Sequence, residues 1–243
     1  MELTSIAIIG AVMFVAMLYS SVGHGGASGY LAVMALFSIS PAVTRPTALV
    51  LNLVVAGIAF VHFAKNGHFV WRTFWPFAAA SIPFAYLGGK IDLATNIHKT
   101  ILGVVLLLTA FRMAVELKND LRRSDVPLMA ALAVGAVIGL VSGVVGVGGG
   151  IFLTPILILM RWAESRDAAG ISALFILVNS AAGLAGLSYS IAELPTEVYW
   201  WLAAAIAGGF AGSMLGSGRF DAVTLRRVLA VVLVIAGTKL LLV

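Results

Sequence analysis

The stretch Val145-Gly146-Val147-Gly148-Gly149-Gly150 places four glycines within five residues, in the middle of apolar sequence. A looser copy, Val22-Gly23-His24-Gly25-Gly26, lies near the start of the chain. Because each glycine costs about 1 kcal/mol in a helix interior, a continuous helix through either stretch is disfavoured. Lipid cannot satisfy the backbone groups that a break releases, so the break must face protein or a watery cavity. Two related breaks predict a site between two related halves of a membrane protein.

The composition indicates an integral membrane protein. Of the 243 residues, 61% are hydrophobic and 10% are charged, whereas about a quarter of the residues of a soluble domain are charged. The length accommodates about seven to ten apolar segments of roughly 20 residues each. The net charge of +5 comes from basic residues between these segments. That placement is typical of membrane-flanking charge, so we expect the lipid bilayer and no nucleic acid as a partner.

The apolar segments fall into two halves. They are 3–22, 27–39, 47–64, 74–90 and 97–115, followed by 127–146, 149–160, 168–190, 196–215 and 223–243. The polar stretch 118–126 is the predicted linker between a membrane repeat 1–117 and a membrane repeat 127–243. Asn52 and Asn179 occupy the same place in the third segment of each half. The consistent order of these features predicts an internal duplication within one membrane domain.

The positions of the basic residues predict the orientation of the halves. If 3–39 and 127–160 were each one crossing, the two sides would carry eight and seven of the 15 Lys and Arg residues. If each is a hairpin that returns to its own side, one side carries eleven and the other keeps only Arg45, Lys90, Lys99 and Lys239. The positive-inside rule favours the second arrangement. It predicts an all-α fold of two inverted repeats, each a glycine-broken hairpin plus three transmembrane helices. Both termini then lie outside the inner membrane and the linker is cytoplasmic.

The two glycine breaks are the candidate binding site. A helix that starts after a break presents unpaired N–H groups and the positive end of its dipole. Two such ends that face each other could bind an anion without a buried lysine, although a simple bend at the hairpin tip is the alternative. The candidate substrate-binding residues are Ser21, Gly23, His24, Gly25, Gly26, Asn52, Gly146, Gly148, Gly149, Gly150 and Asn179. The glycines elsewhere in the apolar segments are expected to serve helix packing; examples are Gly135, Gly139, Gly183, Gly186, Gly208, Gly209 and Gly212.

Several polar residues each have two interpretations. Asn52 and Asn179 could join helices or donate to an anion. His24 could gain a proton and couple transport to pH, or it could bond a neighbouring group. Arg45 could guide anions to an entrance on the sparsely charged side, or its side chain could extend to the interface.

Other function classes lack their residues. All ten Asp and Glu residues lie near segment ends or in loops, which disfavours a cation carrier with a carboxylate at depth. The sequence contains no His-Glu-x-x-His pattern, which would indicate a metal hydrolase. The glycines lack the Gly-Lys-Ser/Thr ending of a nucleotide-binding loop. We therefore expect neither an enzyme nor a bound metal or cofactor.

The chain resembles the TauE/SafE family of membrane permeases, also described as sulfite or sulfonate exporters. The resemblance is carried by the run Gly146-Val147-Gly148-Gly149-Gly150 with Pro155 after it, and by the looser copy at 21–26. The first copy departs from the pattern, since Ala27 ends its glycine run and Ala32 stands where the second copy has Pro155. The resemblance implies transport of a small sulfur-containing anion such as sulfite, thiosulfate or an organosulfonate.

These observations lead to one hypothesis and two alternatives. The hypothesis is a secondary transporter that exports a small sulfur-containing anion, bound at the helix N-termini of the two breaks. The alternatives are a transporter of another substrate class, such as a transition-metal cation, and a non-transporting assembly or receptor subunit. A homo-oligomer is left open.

Overall fold

A computed structural model of the chain describes residues 3–21, 24–114, 124–187, 194–215 and 222–242. Within these ranges the fold is all-α, which confirms the predicted fold class. Ten helices are present there: α1 (Leu3–Ser21), α2 (Ala27–Leu36), α3 (Pro41–Lys65), α4 (Trp71–Lys90), α5 (Thr95–Ala114), α6 (Leu128–Val145), α7 (Gly150–Leu159), α8 (Ser165–Gly186), α9 (Glu197–Leu215) and α10 (Ala222–Leu242). They correspond one to one with the ten predicted apolar segments.

Large apolar side chains cover the outside of the helix bundle. Phe111 is 73% exposed, Met129 76% and Leu242 80%. Such exposure is unfavourable in water, whereas a bilayer solvates it. Within the described residues, four helices are long and apolar enough to cross a membrane by length and composition: α1, α3, α6 and α8. The chain is thus a multi-pass membrane protein.

The helices α2 and α7 are too short to cross a bilayer alone. Each has ten residues, or about 15 Å at 1.5 Å per residue, against a hydrocarbon core of about 30 Å. A Cβ atom added to Gly29 of α2 would lie 2.5 Å from Val15 Cγ1 of α1, and one added to Gly149 would lie 2.7 Å from Ile138 Cγ2 of α6. The members of each pair are too far apart in sequence to touch within one straight helix. The chain therefore turns back at both breaks.

The helix pairings are related by exchange of the two halves. α4 packs against α6, and its counterpart α9 packs against α1. α3 and α8 are counterparts in the two halves, and they pack against each other. The same holds for α5 and α10. This set of contacts fits a duplication of five helices. The opposite orientation of the halves in the membrane stays a prediction.

Two hydrophobic clusters form the interior of the described residues. One contains apolar residues chiefly of α1, α2, α3, α5, α9 and α10, and the other contains those of α4, α6, α7 and α8. The second glycine break lies where they meet, since Val147 and Ile151 belong to the first cluster and Leu153 belongs to the second. The fold therefore places this break between two separately packed regions.

Small residues let the paired helices approach closely. On α6, Gly135, Gly139 and Gly143 lie directly against the α4 backbone, and on α9, Gly208 and Gly212 lie against the backbone of α1. A Cβ at any of these positions would collide with a carbonyl oxygen of the partner helix. The packing role predicted for Gly135, Gly139, Gly208 and Gly212 is thus confirmed.

The start of α3 differs from the sequence-based boundary at residue 47. The helix begins at Pro41, after an N-cap at Ser40 whose Oγ accepts a hydrogen bond of 3.3 Å from the Ala42 N–H. Proline suits the first turn, because the N–H that it lacks would have no partner there. Arg45 lies inside the helix since its side chain finds acceptors within the protein, as described below.

Candidate functional site

Left-handed glycines interrupt the backbone at both breaks. Gly26, with φ of 94°, is the N-cap of α2, and Gly149, with φ of 80°, is the N-cap of α7. Gly146, with φ of 85°, ends α6 and donates its N–H to the Ser142 carbonyl at 2.8 Å. Residues with a Cβ avoid this conformation at a cost of about 1–2 kcal/mol. The predicted breaks at 24–26 and 146–150 are therefore present, while Gly23 lies outside the described residues.

The two breaks meet at the same pair of buried side chains, Asn52 and Ile176. A Cβ on Gly25 would lie 2.7 Å from Asn52 Oδ1 and 2.9 Å from Ile176 Cγ2. A Cβ on Gly148 would lie 2.7 Å from Asn52 Nδ2 and 2.9 Å from the same Ile176 Cγ2. Asn52 is on α3 and Ile176 on α8, the central helices of the two halves. The structure thus brings Gly25, Gly148 and Asn52 together in one place.

Asn52 holds the second break against α8. Its Nδ2 donates to the Val147 carbonyl at 3.2 Å and to Ser180 Oγ at 3.3 Å. Its Oδ1 is buried and has no hydrogen-bond partner among the described residues. An unpartnered buried oxygen costs about 1–3 kcal/mol. Asn52 therefore retains an unused polar atom on the side where the first break approaches.

A second polar contact joins the first break to α7. His24 Nε2 lies 3.1 Å from Thr154 Oγ1. That hydroxyl also lies 2.7 Å from Ser172 Oγ and 2.9 Å from the Gly150 carbonyl. Because a hydroxyl carries one proton, Thr154 donates to one of these neighbours at a time. The imidazole and two hydroxyls form a short chain of exchangeable hydrogen bonds beside the start of α7.

Two predicted site residues bond within their own helices. Ser21 Oγ donates to the Leu18 carbonyl at 2.7 Å, and Asn179 Nδ2 donates to the Phe175 carbonyl at 2.8 Å. The repeat-related asparagines therefore differ, because Asn52 bonds across helices and Asn179 does not. Asn179 Oδ1 is buried without a partner in the described part of the chain.

Arg45 is buried, and backbone carbonyls accept its hydrogen bonds. Its guanidinium donates to Gly143 at 2.6 and 3.0 Å, to Gly88 at 2.7 Å, to Gly89 at 2.9 Å and to Ile91 at 3.0 Å. These carbonyls lie at the end of α4 and on α6, where helix termini leave acceptors unused. The side chain joins α3, α4 and α6, and it also lines a cavity of about 310 Å³. Its role as an entrance stays a prediction.

The structure adds residues to the site that the sequence did not single out. Ser172 and Ile176 touch the breaks, and with Ser180 they recur every four residues on α8. A four-residue spacing places side chains on one face of a helix. That spacing could have indicated a polar face containing Ser172 and Ser180. Nothing in the sequence indicated that Ile176 would separate the two breaks.

The repeat-related asparagines provide a matched test of the site. We expect Asn52→Ala to lower transport by about tenfold or more, because it removes two hydrogen bonds worth about 1 kcal/mol each from the second break. Asn179→Ala removes only a bond within α8, and its effect should stay within about threefold. Initial flux rates at equal reconstituted protein compare the two variants. Equal losses would contradict the special position of Asn52.

Comparison with known proteins identifies the family. Residues 8–240 match the family described as Sulfite exporter TauE/SafE. A probable membrane transporter protein of Sinorhizobium fredii is 41% identical over 99% of this chain and 100% of the relative. Another of Bacillus subtilis is 26% identical over 98% of the chain and 100% of the relative. No solved structure matches the chain. The chain belongs to the TauE/SafE family of membrane transporters.

Proposed function

We propose that the protein is a secondary transporter that exports a small sulfur-containing oxyanion across the inner membrane. The observation that carries the proposal is the meeting of the two glycine breaks at Asn52 and Ile176. α2 and α7 each begin at one of these breaks, after a left-handed glycine. The first N–H groups of a helix have no acceptor within that helix, and its dipole is positive at this end. The junction therefore suits a negative solute.

The side chains around the junction are consistent with this ligand. Asn52, Thr154, Ser172 and Ser180 supply an amide and hydroxyls, and His24 supplies an imidazole. These groups can donate hydrogen bonds to oxyanion oxygens without adding fixed negative charge. In the present conformation the Asn52 amide donates to protein acceptors, so binding a solute through Asn52 requires an exchange of those bonds. The sulfur-containing substrate is proposed from the family description.

Export of an anion has a direct energetic basis. With the cytoplasm negative, each negative charge that leaves gains about 2.3 kcal/mol per 100 mV. We propose that inverted halves 1–117 and 127–243, with both termini outside and 118–126 in the cytoplasm, alternate access around the breaks. A proton carried by His24 is the second candidate for the driving force, favoured by its hydrogen bond to Thr154.

The transport proposal is tested in proteoliposomes loaded with radiolabelled sulfite. An imposed potential, negative inside, should accelerate sulfite efflux, and empty liposomes provide the baseline. Parallel vesicles contain thiosulfate, taurine or sulfoacetate, and a further set contains Co²⁺ or Ni²⁺. Movement of a metal cation without movement of any sulfur anion would reject the proposal. If a proton gradient directed into the vesicles drives efflux at zero potential, and fails to do so with His24→Gln, transport is coupled to protons.

A further inference from the structure

All four basic residues of the face predicted to be extracytoplasmic line two adjoining cavities. The Arg45 cavity, of about 310 Å³, is lined by Arg45, Lys90, Asp92 and His98 among others. The Lys99 cavity, of about 260 Å³, is lined by Lys99 and Lys239 among others. Ser40, Pro41 and Thr95 line both cavities. We refer to the two cavities together as the outer vestibule.

Three of these four cations already have partners. Arg45 donates to backbone carbonyls, as described above. The Lys239 ammonium donates to the Ala35 and Leu36 carbonyls at 3.1 and 2.8 Å and to Ser38 Oγ at 3.0 Å, so it satisfies the C-terminal end of α2. The Lys90 ammonium lies 4.6 Å from the centre of the Tyr86 ring. Arg45 and Lys239 thus join helix ends, whereas Lys90 contacts a ring of its own helix, α4.

Lys99 and His98 are left with unused polar groups. Lys99 is half-buried, and no hydrogen bond or ion pair connects it to another described residue. His98 is 5% exposed, and its Nε2 is buried without a hydrogen-bond partner in the described part of the chain. Burial of a polar group without a partner is unfavourable. Two consecutive residues of α5 therefore present unsatisfied polar groups to the vestibule.

The charge of the vestibule favours an anion. Among the described residues, Asp92 is the one acid that lines the Arg45 cavity, and no acid lines the Lys99 cavity. A partly buried ammonium without a protein counterion attracts a negative ligand more strongly than a fully solvated ammonium does. The Arg45 cavity, of about 310 Å³, lies at the lower end of the range for ligand sites, about 300–1,000 Å³, and the Lys99 cavity, of about 260 Å³, is slightly smaller than that range. The vestibule therefore suits a small oxyanion.

α3 connects the vestibule with the two breaks. Thr44 and Arg45 line the vestibule seven or eight residues before Asn52 on this helix. That separation corresponds to about 11 Å along the helix axis. A Cβ on Gly146 would lie 2.9 Å from Arg45 Cγ, so the stem of Arg45 also contacts the second break. An anion in the vestibule would lie close to the central site without occupying it.

We propose that the outer vestibule is a second anion site, in which the Lys99 ammonium holds one small oxyanion near Thr95 and the His98 imidazole lines the adjoining cavity. The assignment of this ligand as the transported solute rests on the proposed function. The phosphate of an anionic lipid headgroup offers the same chemistry. The site itself requires only a ligand with negatively charged oxygens.

Equilibrium binding of radiolabelled sulfite to the full chain tests the proposal. The protein is placed in nanodiscs of phosphatidylcholine, which carries no net charge. The wild type should show two binding components. Lys99→Gln should weaken one of them by about tenfold, since a hydrogen bond to a charged group is lost, and Lys99→Arg should restore it. Lys65→Gln is the matched control, because it removes the same charge from the exposed far end of α3. This control should bind sulfite like the wild type.

The outcomes separate the two proposals. Gly148→Ala should remove the component that Lys99→Gln leaves unchanged. A single component that is lost with Gly148→Ala and unaffected by Lys99→Gln would overturn the vestibule site and leave the proposed function standing. A single component that is weakened only by Lys99→Gln would support the vestibule and reject the central site. Nanodiscs with phosphatidylglycerol identify the ligand. Loss of only the Lys99-dependent component there assigns the site to lipid headgroups, and its persistence assigns the site to the solute.

Discussion

Gly148→Ala is expected to abolish transport, whereas Gly67→Ala leaves it near the wild-type rate. The two glycines have nearly the same backbone conformation, with φ of 78° and 79°. Both substitutions therefore carry the same strain, about 1–2 kcal/mol. Their surroundings differ, because a Cβ on Gly67 meets nothing within 4 Å, while one on Gly148 would lie 2.7 Å from Asn52 Nδ2 and 2.8 Å from Ser180 Oγ. Only Gly148→Ala therefore pushes apart the residues at which the two breaks meet.

Gly25→Ala completes this comparison. Gly25 lacks a left-handed φ, yet its Cβ would lie 2.7 Å from Asn52 Oδ1. We expect Gly25→Ala to lose most of the transport, although this substitution adds no backbone strain. Sulfite flux at equal amounts of reconstituted protein measures the effect, and size-exclusion chromatography checks that each variant is folded. If Gly148→Ala and Gly67→Ala transport equally well, the junction is not the site of transport.

Arg45→Met is expected to destabilise the protein more than any change at an exposed cation. The substitution leaves four backbone carbonyls, those of Gly88, Gly89, Ile91 and Gly143, without the donors that they have now. Unsatisfied buried acceptors cost about 1–3 kcal/mol each. Gly88 still accepts the Ile91 N–H at 3.2 Å, so three carbonyls lose their donor and we expect a total loss of at least about 3 kcal/mol. Size-exclusion chromatography after heating measures the change, as the temperature at which half of the monodisperse peak is lost.

Lys90→Met and Arg45→Lys are the controls for this prediction. Lys90 is an exposed cation above the Tyr86 ring, and such a contact is worth about 0.5–1 kcal/mol. Its replacement should hardly alter stability. Arg45→Lys keeps the charge without the planar guanidinium. Its stability should therefore lie between those of Arg45→Met and Lys90→Met. A fully stable Arg45→Met would show that water or lipid replaces these donors and would return the residue to a role at an entrance.

The sequence predicted the helices and the breaks because hydropathy and glycine content are properties of short stretches. Ten apolar segments became ten helices, and the runs at 24–26 and 146–150 became left-handed caps. The predicted start of α3 was wrong, because a sequence pattern treats an arginine before a proline as a boundary. Burial of Arg45 depends on carbonyls from α4 and α6. Backbone acceptors from distant helices leave no signal in a hydropathy pattern.

The composition of the site was only partly predictable for the same reason. The duplication assigned Asn52 and Asn179 equal roles, but Asn52 bonds across helices and Asn179 bonds within α8. Ser172 and Ile176 contact the breaks through tertiary packing, which repeat order does not encode. His24 was correctly placed in the first break, but its neighbour Thr154 comes from the opposite half. Contacts between halves were the information that the sequence lacked.

The Lys239 bonds have a mechanical consequence for the first hairpin. They tie the end of α2 to α10, and α10 in turn packs against α5. α2, α5 and α10 are therefore packed into one group that combines elements from the beginning, the middle and the end of the chain. Any movement of α2 relative to α10 would first have to detach the Lys239 ammonium.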